Sequence, residues 1–201
     1  FMDAYSYLAR GQVFANAQTG NMLLFGVNLA SGQFQHALHY LCPVLAFGLG
    51  IFIAELIHFQ KIQKVHWRQV TLLIEIIILF CVGYISFEQN LLANSLTSFA
   101  CGLQVQAFRK IHGKGYATTM CIGNLRTGTH EMCNYICTKK VQHLQSGLLY
   151  YLIILTFILG AILGNYCIQI FSAKAIWISV SLLILSFILM FIDREKDEVF
   201  Q

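Results

Sequence analysis

The sequence predicts an all-α integral membrane protein: about six transmembrane helices plus two broken or re-entrant segments, arranged as an inverted internal repeat. Three observations lead there. Hydrophobic residues make up 57% of the 201-residue chain and charged residues only 11%, against about 25% charged in a soluble domain. Several stretches approach the roughly 20 apolar residues that a spanning helix needs. A polar, glycine-containing motif also occurs twice. Phe14-Ala15-Asn16-Ala17-Gln18-Thr19-Gly20-Asn21 recurs as Tyr116-Ala117-Thr118-Thr119-Met120-Cys121-Ile122-Gly123-Asn124, and an offset of 103 residues carries Gly20-Asn21 onto Gly123-Asn124. The same offset sets Asp3-Ala4-Tyr5 on Gln106-Ala107-Phe108. Duplicated units with broken helices are the architecture of many transporters and pores.

The apolar stretches are 37–59, 69–87, 91–108, 147–170 and 175–192, and residues 1–9 read as the end of another. Two weaker segments, 13–31 and 116–137, carry the Gly-Asn pairs and are too polar in the middle to face lipid. The first repeat then covers 1–88, the second 91–192, and 193–201 form a polar cytoplasmic tail. An apolar run from Leu91 to Ala107 precedes the second motif, whereas few residues precede the first, so the N-terminal helix is expected to be truncated.

Loop charge sets the topology. Lys61, Lys64 and Arg68 mark a cytoplasmic loop by the positive-inside rule, and Glu88-Gln89-Asn90, without Lys or Arg, an external one. Arg109-Lys110-Ile111-His112-Gly113-Lys114 and Lys139-Lys140 are both basic, and a re-entrant 116–137 segment keeps both inside. Each repeat then has three crossings, an odd number, so the second copy is inverted. Arg10 and Lys174 face out, and Arg126 lies inside the fold. The alternative makes the weak segments full crossings, with seven or eight spans and a parallel repeat. Irregular backbone at membrane depth is tolerated only when buried in protein or lining a cavity.

Composition excludes other classes. The net charge of +4 comes from loop Lys and Arg, without the polybasic, aromatic-interleaved blocks of a nucleic-acid binder. The seven cysteines show no paired spacing and read as reduced thiols. No basic n-region precedes a cleavage site, so no cleavable signal peptide is expected. There is no phosphate loop and no nucleophile–base pairing, so neither enzyme activity nor a cofactor is expected. The expected partners are the lipid bilayer and a small solute, with no nucleic acid; a homo-oligomer is compatible with the sequence. Gly50-x-x-x-Ala54 and Gly160-x-x-x-Gly164 allow close helix approach, either as a paired interface flanking the breaks or as ordinary packing.

The residues Asp3-Ala4-Tyr5-Ser6-Tyr7-Leu8 and Thr19-Gly20-Asn21 carry a family resemblance, as do Gly102-Leu103-Gln104-Val105-Gln106-Ala107-Phe108-Arg109-Lys110 and Gly123-Asn124-Leu125-Arg126. On them the chain resembles the YoaK-like family of bacterial multi-pass membrane proteins, defined by a domain of unknown function. The resemblance covers essentially the whole chain. It implies a bacterial inner-membrane location and a duplicated helical plan, and no established substrate. Ile122 departs from the Thr that would complete the second Thr-Gly-Asn.

The expected solute pathway comprises Asp3, Thr19, Gly20, Asn21, Gln106, Gly123, Asn124 and Arg126. Asp3 is an ionisable group in an apolar helix, which ordinarily faces a cavity or a partner. It serves proton coupling or solute coordination, with Gln106 as its neutral counterpart, or else caps a neighbouring helix or pairs with Arg10. The Gly-Asn pairs end one half-helix and start another, and exposed N–H groups at such starts favour anions or carbonyl oxygens. Arg126 would complete a small-anion site, or pair with Glu131 or Asp3. His130, Cys133 and Cys137 share one helical face and form the weakest proposal, a metal site, against packed thiols. Glu55 reads as snorkelling towards Lys61 or Lys64, and Glu75 as an interhelical hydrogen bond. The functional expectation is a small-solute transporter or channel for a small anion or polar metabolite. The alternative is a non-transporting membrane scaffold or sensor.

Overall fold

The computed structural model describes residues 1–60, 66–108, 110–111, 114–115 and 121–198. The regular structure of the described residues is all helical apart from a two-residue antiparallel pairing of Lys110–Ile111 with Lys114–Gly115. The helices are α1 (Met2–Ala9), α2 (Gln18–Ala30), α3 (Phe34–Phe59), α4 (Trp67–Val82), α5 (Asn90–Ala107), α6 (Cys121–Thr138), α7 (Val141–Phe171) and α8 (Ile176–Glu198). Lys61, Lys64, Arg109, His112, Gly113 and the Tyr116–Met120 part of the second motif lie outside the described residues.

The five apolar stretches become α3, α4, α5, α7 and α8. The segment 69–87 stops early, at Val82, because Arg10 takes up carbonyls at the end of α4 and a short 3-10 turn at Phe87–Gln89 leads into α5. α7 begins at Val141 rather than 147, since its polar first turns extend the helix beyond the apolar run. Two stretches among the described residues are long and apolar enough to cross a membrane, Phe34–Phe59 and Val141–Met190, the latter taking in α7 and α8.

The two weak segments require a correction. Each is an unbroken helix from its start: α2 begins at Gln18 and α6 at Cys121. Gly20-Asn21 and Gly123-Asn124 therefore lie within first turns and are not themselves breaks. In the first copy the irregular backbone is the preceding stretch, residues 10–17. It starts at Gly11, whose φ of +88° suits glycine alone, followed by Gln12 at +61°.

The packing pairs the helices in related ways. α2 lies on α3 and α6 lies on α7; α3 crosses α5 and α7 crosses α1; α4 packs on both α5 and α8. Small residues sit at both crossings. A Cβ at Gly50 would run into the Phe99 carbonyl of α5, and one at Gly102 into the Phe47 carbonyl of α3. On the other crossing, a Cβ at Gly164 would lie 3.1 Å from the Ala4 Cβ. The small-residue pairs of the sequence thus sit at these two crossings. Tyr5, Leu72, Leu79, Ala100, Ile176 and Val180 join α1, α4, α5 and α8 in one apolar core. Large apolar side chains such as Leu45, Phe52, Leu155 and Leu185 cover the outside, an exterior that suits lipid and not water.

Candidate functional site

The two copies of the motif meet at a cavity. Its volume is about 1070 Å³, and its wall includes Ala17, Gln18 and Thr19 from the start of α2 and Cys121, Ile122 and Gly123 from the start of α6. Val44, Phe47, Gly48 and Ile51 of α3 and Phe157 and Ala161 of α7 close it from two sides, and Asp3 of α1 reaches it. The wall is mostly apolar with a few polar groups, the composition of a small-molecule site. Beside it, an open cleft of about 720 Å³ is lined by Gln12, Gln35, His36, His39 and Tyr40. Tyr7 and Leu8 border both spaces.

Asp3 is 8% exposed. Its Oδ1 accepts from the Asn16 N–H at 2.7 Å and the Ala17 N–H at 3.4 Å. Ala17 immediately precedes α2, so one carboxylate oxygen holds the backbone that leads into that helix. Asp3 thus ties down the residues before α2 and not the N–H groups of its first turn, and Arg10 is engaged elsewhere. The other oxygen, Oδ2, is buried without a hydrogen-bond partner among the described residues.

Asn21 does not line the cavity. Its amide clasps the loop: Oδ1 accepts from Phe14 N at 3.0 Å, and Nδ2 donates to Phe14 O at 2.7 Å and Gln18 Oε1 at 2.8 Å. Gln18 Nε2 donates in turn to Ala15 O at 2.7 Å. Both polar side chains serve to hold residues 13–17 in place. Gly20 packs against the Phe14 ring.

The second copy differs from expectation. Asn124 is buried, within the first turn of α6 and outside the cavity wall. Arg126 is exposed, not inside the fold. Two residues along a helix is about 200° of rotation, so a buried Asn124 turns Arg126 outward, as it turns Leu23 outward in the first copy at 67% exposure. Glu131 pairs instead with His143, Oε2 to Nδ1 at 2.7 Å. Gln106 is not in the cavity wall; its amide bonds the Glu55 carboxylate, which also lies 3.6 Å from His58. His130 contacts Asn134 at 3.2 Å, and Cys133 and Cys137 are exposed. Among the described residues no group of three His, Cys, Asp or Glu side chains is placed to hold a metal.

Arg10 is fully buried, beside the Ser86–Asn90 turn that the sequence reading sets on the same outer side. Its guanidinium donates to Tyr5 Oη at 2.9 Å, Val82 O at 3.2 Å, Ile85 O at 2.9 Å and Ser86 O at 3.1 Å, with a longer contact to Asn90 Oδ1 at 3.4 Å. The Phe87 ring lies 4.9 Å from its Cζ. Arg10 thus closes the carbonyl end of α4, where a cation is favoured. Asn94 Nδ2 donates to the Arg10 carbonyl at 2.7 Å.

The fold and its apolar exterior define a helical membrane protein with an internal cavity at two helix starts. The family model for "protein of unknown function (DUF1275)" matches residues 1–189, and the chain belongs to that family. It is similar to the UPF0700 transmembrane protein YoaK of Bacillus subtilis (strain 168), with 26% identity over 191 residues, covering 90% of this chain and 84% of that protein. No solved structure matches the chain.

Proposed function

We propose that the chain is a small-solute transporter or channel of a bacterial inner (plasma) membrane, with the cavity between the α2 and α6 starts as its solute site. The observation that carries this is Asp3: a buried carboxylate among the cavity-lining residues, one of whose oxygens, Oδ2, has no hydrogen-bond partner among the described residues. A buried polar group left unpaired is costly and ordinarily has a functional reason. The polar cleft lies beside this cavity, sharing Tyr7 and Leu8 with it.

The site suits a solute with an apolar body and a hydrogen-bond donor or cationic tip. An anion is disfavoured, because the carboxylate already occupies the entry to α2 and Arg126 points away. The paired crossings, α3 on α5 and α7 on α1, support a duplicated plan, which we read from the loop charges as six crossings with an inverted second copy. The α2 and α6 segments are then re-entrant. A transport role also accords with the absence, in the sequence, of a nucleophile–base pairing.

The test is thermal unfolding of the detergent-purified chain against amines, neutral polar solutes and small anions. A solute that binds only the folded state stabilises it by about 2.7 kcal/mol at a hundred times its Kd. The expected result is a raised midpoint with one donor-bearing class, lost in Asp3→Asn. A second reading, a non-transporting scaffold, is favoured by the local satisfaction of Asn21 and Gln18. It gives a flat response across the panel.

A further inference from the structure

Asp3 is not alone at the cavity in carrying an acceptor without a partner. Asn16, in the irregular stretch before α2, is 6% exposed, and its Oδ1 has no hydrogen-bond partner among the described residues. The two residues touch, since the Asn16 N–H donates to Asp3 Oδ1 at 2.7 Å. They also line the same two spaces. Asp3, Asn16 and Phe157 belong to the wall of the α2–α6 cavity and to that of a second cavity of about 410 Å³, where Gln104, Thr156, Ser179 and Ser186 join them. Glu75, the other buried carboxyl with unpartnered oxygens, does not make the interhelical hydrogen bond expected of it, and it lines neither cavity.

The chemistry of these walls selects an occupant. Asp3 Oδ2 and Asn16 Oδ1 are both acceptors, and a buried acceptor left unpaired is costly, so the fitting group is one with several donors. Thr156 and Ser186 give their hydroxyl protons to carbonyls of their own helices, Leu152 O at 2.8 Å and Leu182 O at 3.0 Å, which leaves them as acceptors too. Among the described residues neither wall holds a Lys, Arg or His side chain, so nothing there matches an anion. A divalent metal would take about six oxygen ligands, more than the two unpaired side-chain oxygens supply. A primary ammonium has three N–H donors and no acceptor, and Phe157 adds to the same wall an aromatic ring, whose face attracts cations.

The geometry points to a binding site for a primary or secondary organic ammonium at the Asp3–Asn16 pair, its N–H groups on Asp3 Oδ2 and Asn16 Oδ1 and its apolar body in the adjoining cavities. This rests on the transport reading and adds to it a substrate class and a second ligand residue. A quaternary ammonium carries the same charge without an N–H and is rejected, because both acceptors then stay unpaired.

The experiment is calorimetric titration of the full chain in lipid nanodiscs with propylammonium, trimethylpropylammonium, propanol and propionate, with helicity checked by circular dichroism. Propylammonium should bind, and the other three should bind about tenfold more weakly or worse. Asn16→Ala deletes an amide oxygen that bonds nothing, and Asp3→Asn keeps one oxygen for the Asn16 N–H while replacing the other with a donor. Each should weaken propylammonium about tenfold or more. Should Asp3→Asn not fold, Asn16→Ala and the quaternary probe read the same site. Equal binding of propylammonium and trimethylpropylammonium, or an Asn16→Ala titration like that of wild type, overturns the proposal. Propylammonium that fails to bind while propanol or propionate binds also overturns it, and leaves the transport reading standing. Binding as expected, with no uptake of propylammonium into sealed vesicles beyond that of chain-free ones, supports the site and contradicts transport.

Discussion

Replacing Arg10 with Ala removes the donors that three backbone carbonyls at the end of α4 use, those of Val82, Ile85 and Ser86. It also unstacks the Phe87 ring and leaves the Tyr5 hydroxyl without its guanidinium donor. Hydrogen bonds to charged groups contribute about 1.5–3 kcal/mol each, so the lower end for three bonds gives a loss of about 4.5 kcal/mol. For a chain of this size that lowers the unfolding midpoint by about 9–18 °C. Arg10→Lys keeps the charge but not the planar fork that spans several acceptors at once, and about half the loss is expected. The assay is circular dichroism on heating in one detergent at one scan rate, since membrane-protein unfolding is commonly irreversible. An Arg10→Ala midpoint within about 2 °C of wild type, less than 1 kcal/mol, would refute the reasoning that Arg10 caps α4.

Other substitutions test other parts of the structure. Gly102→Ala drives a Cβ into the Phe47 carbonyl and should cost about 1–3 kcal/mol or more. Gly48→Ala, with no atom within 4 Å of its Cβ, is the control that should unfold like wild type. Asn21→Leu removes three hydrogen bonds that hold residues 14–18. The expected loss is about 2–3 kcal/mol by thermal unfolding, and a neutral result would show that the loop holds itself. Arg126→Ala, at an exposed position, should stay within about 0.5 kcal/mol of wild type and leave any solute response intact. A solute response that vanishes with Arg126 would restore the anion site.

The 103-residue offset was informative beyond composition, since it set the starts of both α2 and α6. The offset could not show where the chain is irregular. Gly and Asn signal a break locally, yet Asn21 satisfies itself on Phe14, seven residues back, a contact only the fold creates. The burial of Arg10 was not legible for a similar reason: its carbonyl acceptors lie 72 to 76 residues away, and a cation near a helix end ordinarily faces water. The outward turn of Arg126 was readable once the segment is taken as one continuous helix, because a two-residue step reverses the face. Asp3 was legible as a costly ionisable group in an apolar helix, and the structure adds that its two oxygens have different surroundings. Glu75 was visible by type, but its lack of a donor depends on what α5 and α8 present to it.

The solute-site reading requires the α2–α6 cavity to be reachable from water, and Cys121 in its wall provides the probe. The most direct measurement is labelling of a chain that keeps Cys121 as its only cysteine, in intact cells or sealed vesicles, with a membrane-impermeant maleimide. The expected result is labelling from the aqueous phase, slowed by whichever solute raises the unfolding midpoint. Failure of the impermeant reagent, with a lipid-soluble maleimide reacting readily, would show a cavity open to lipid alone and contradict the assignment.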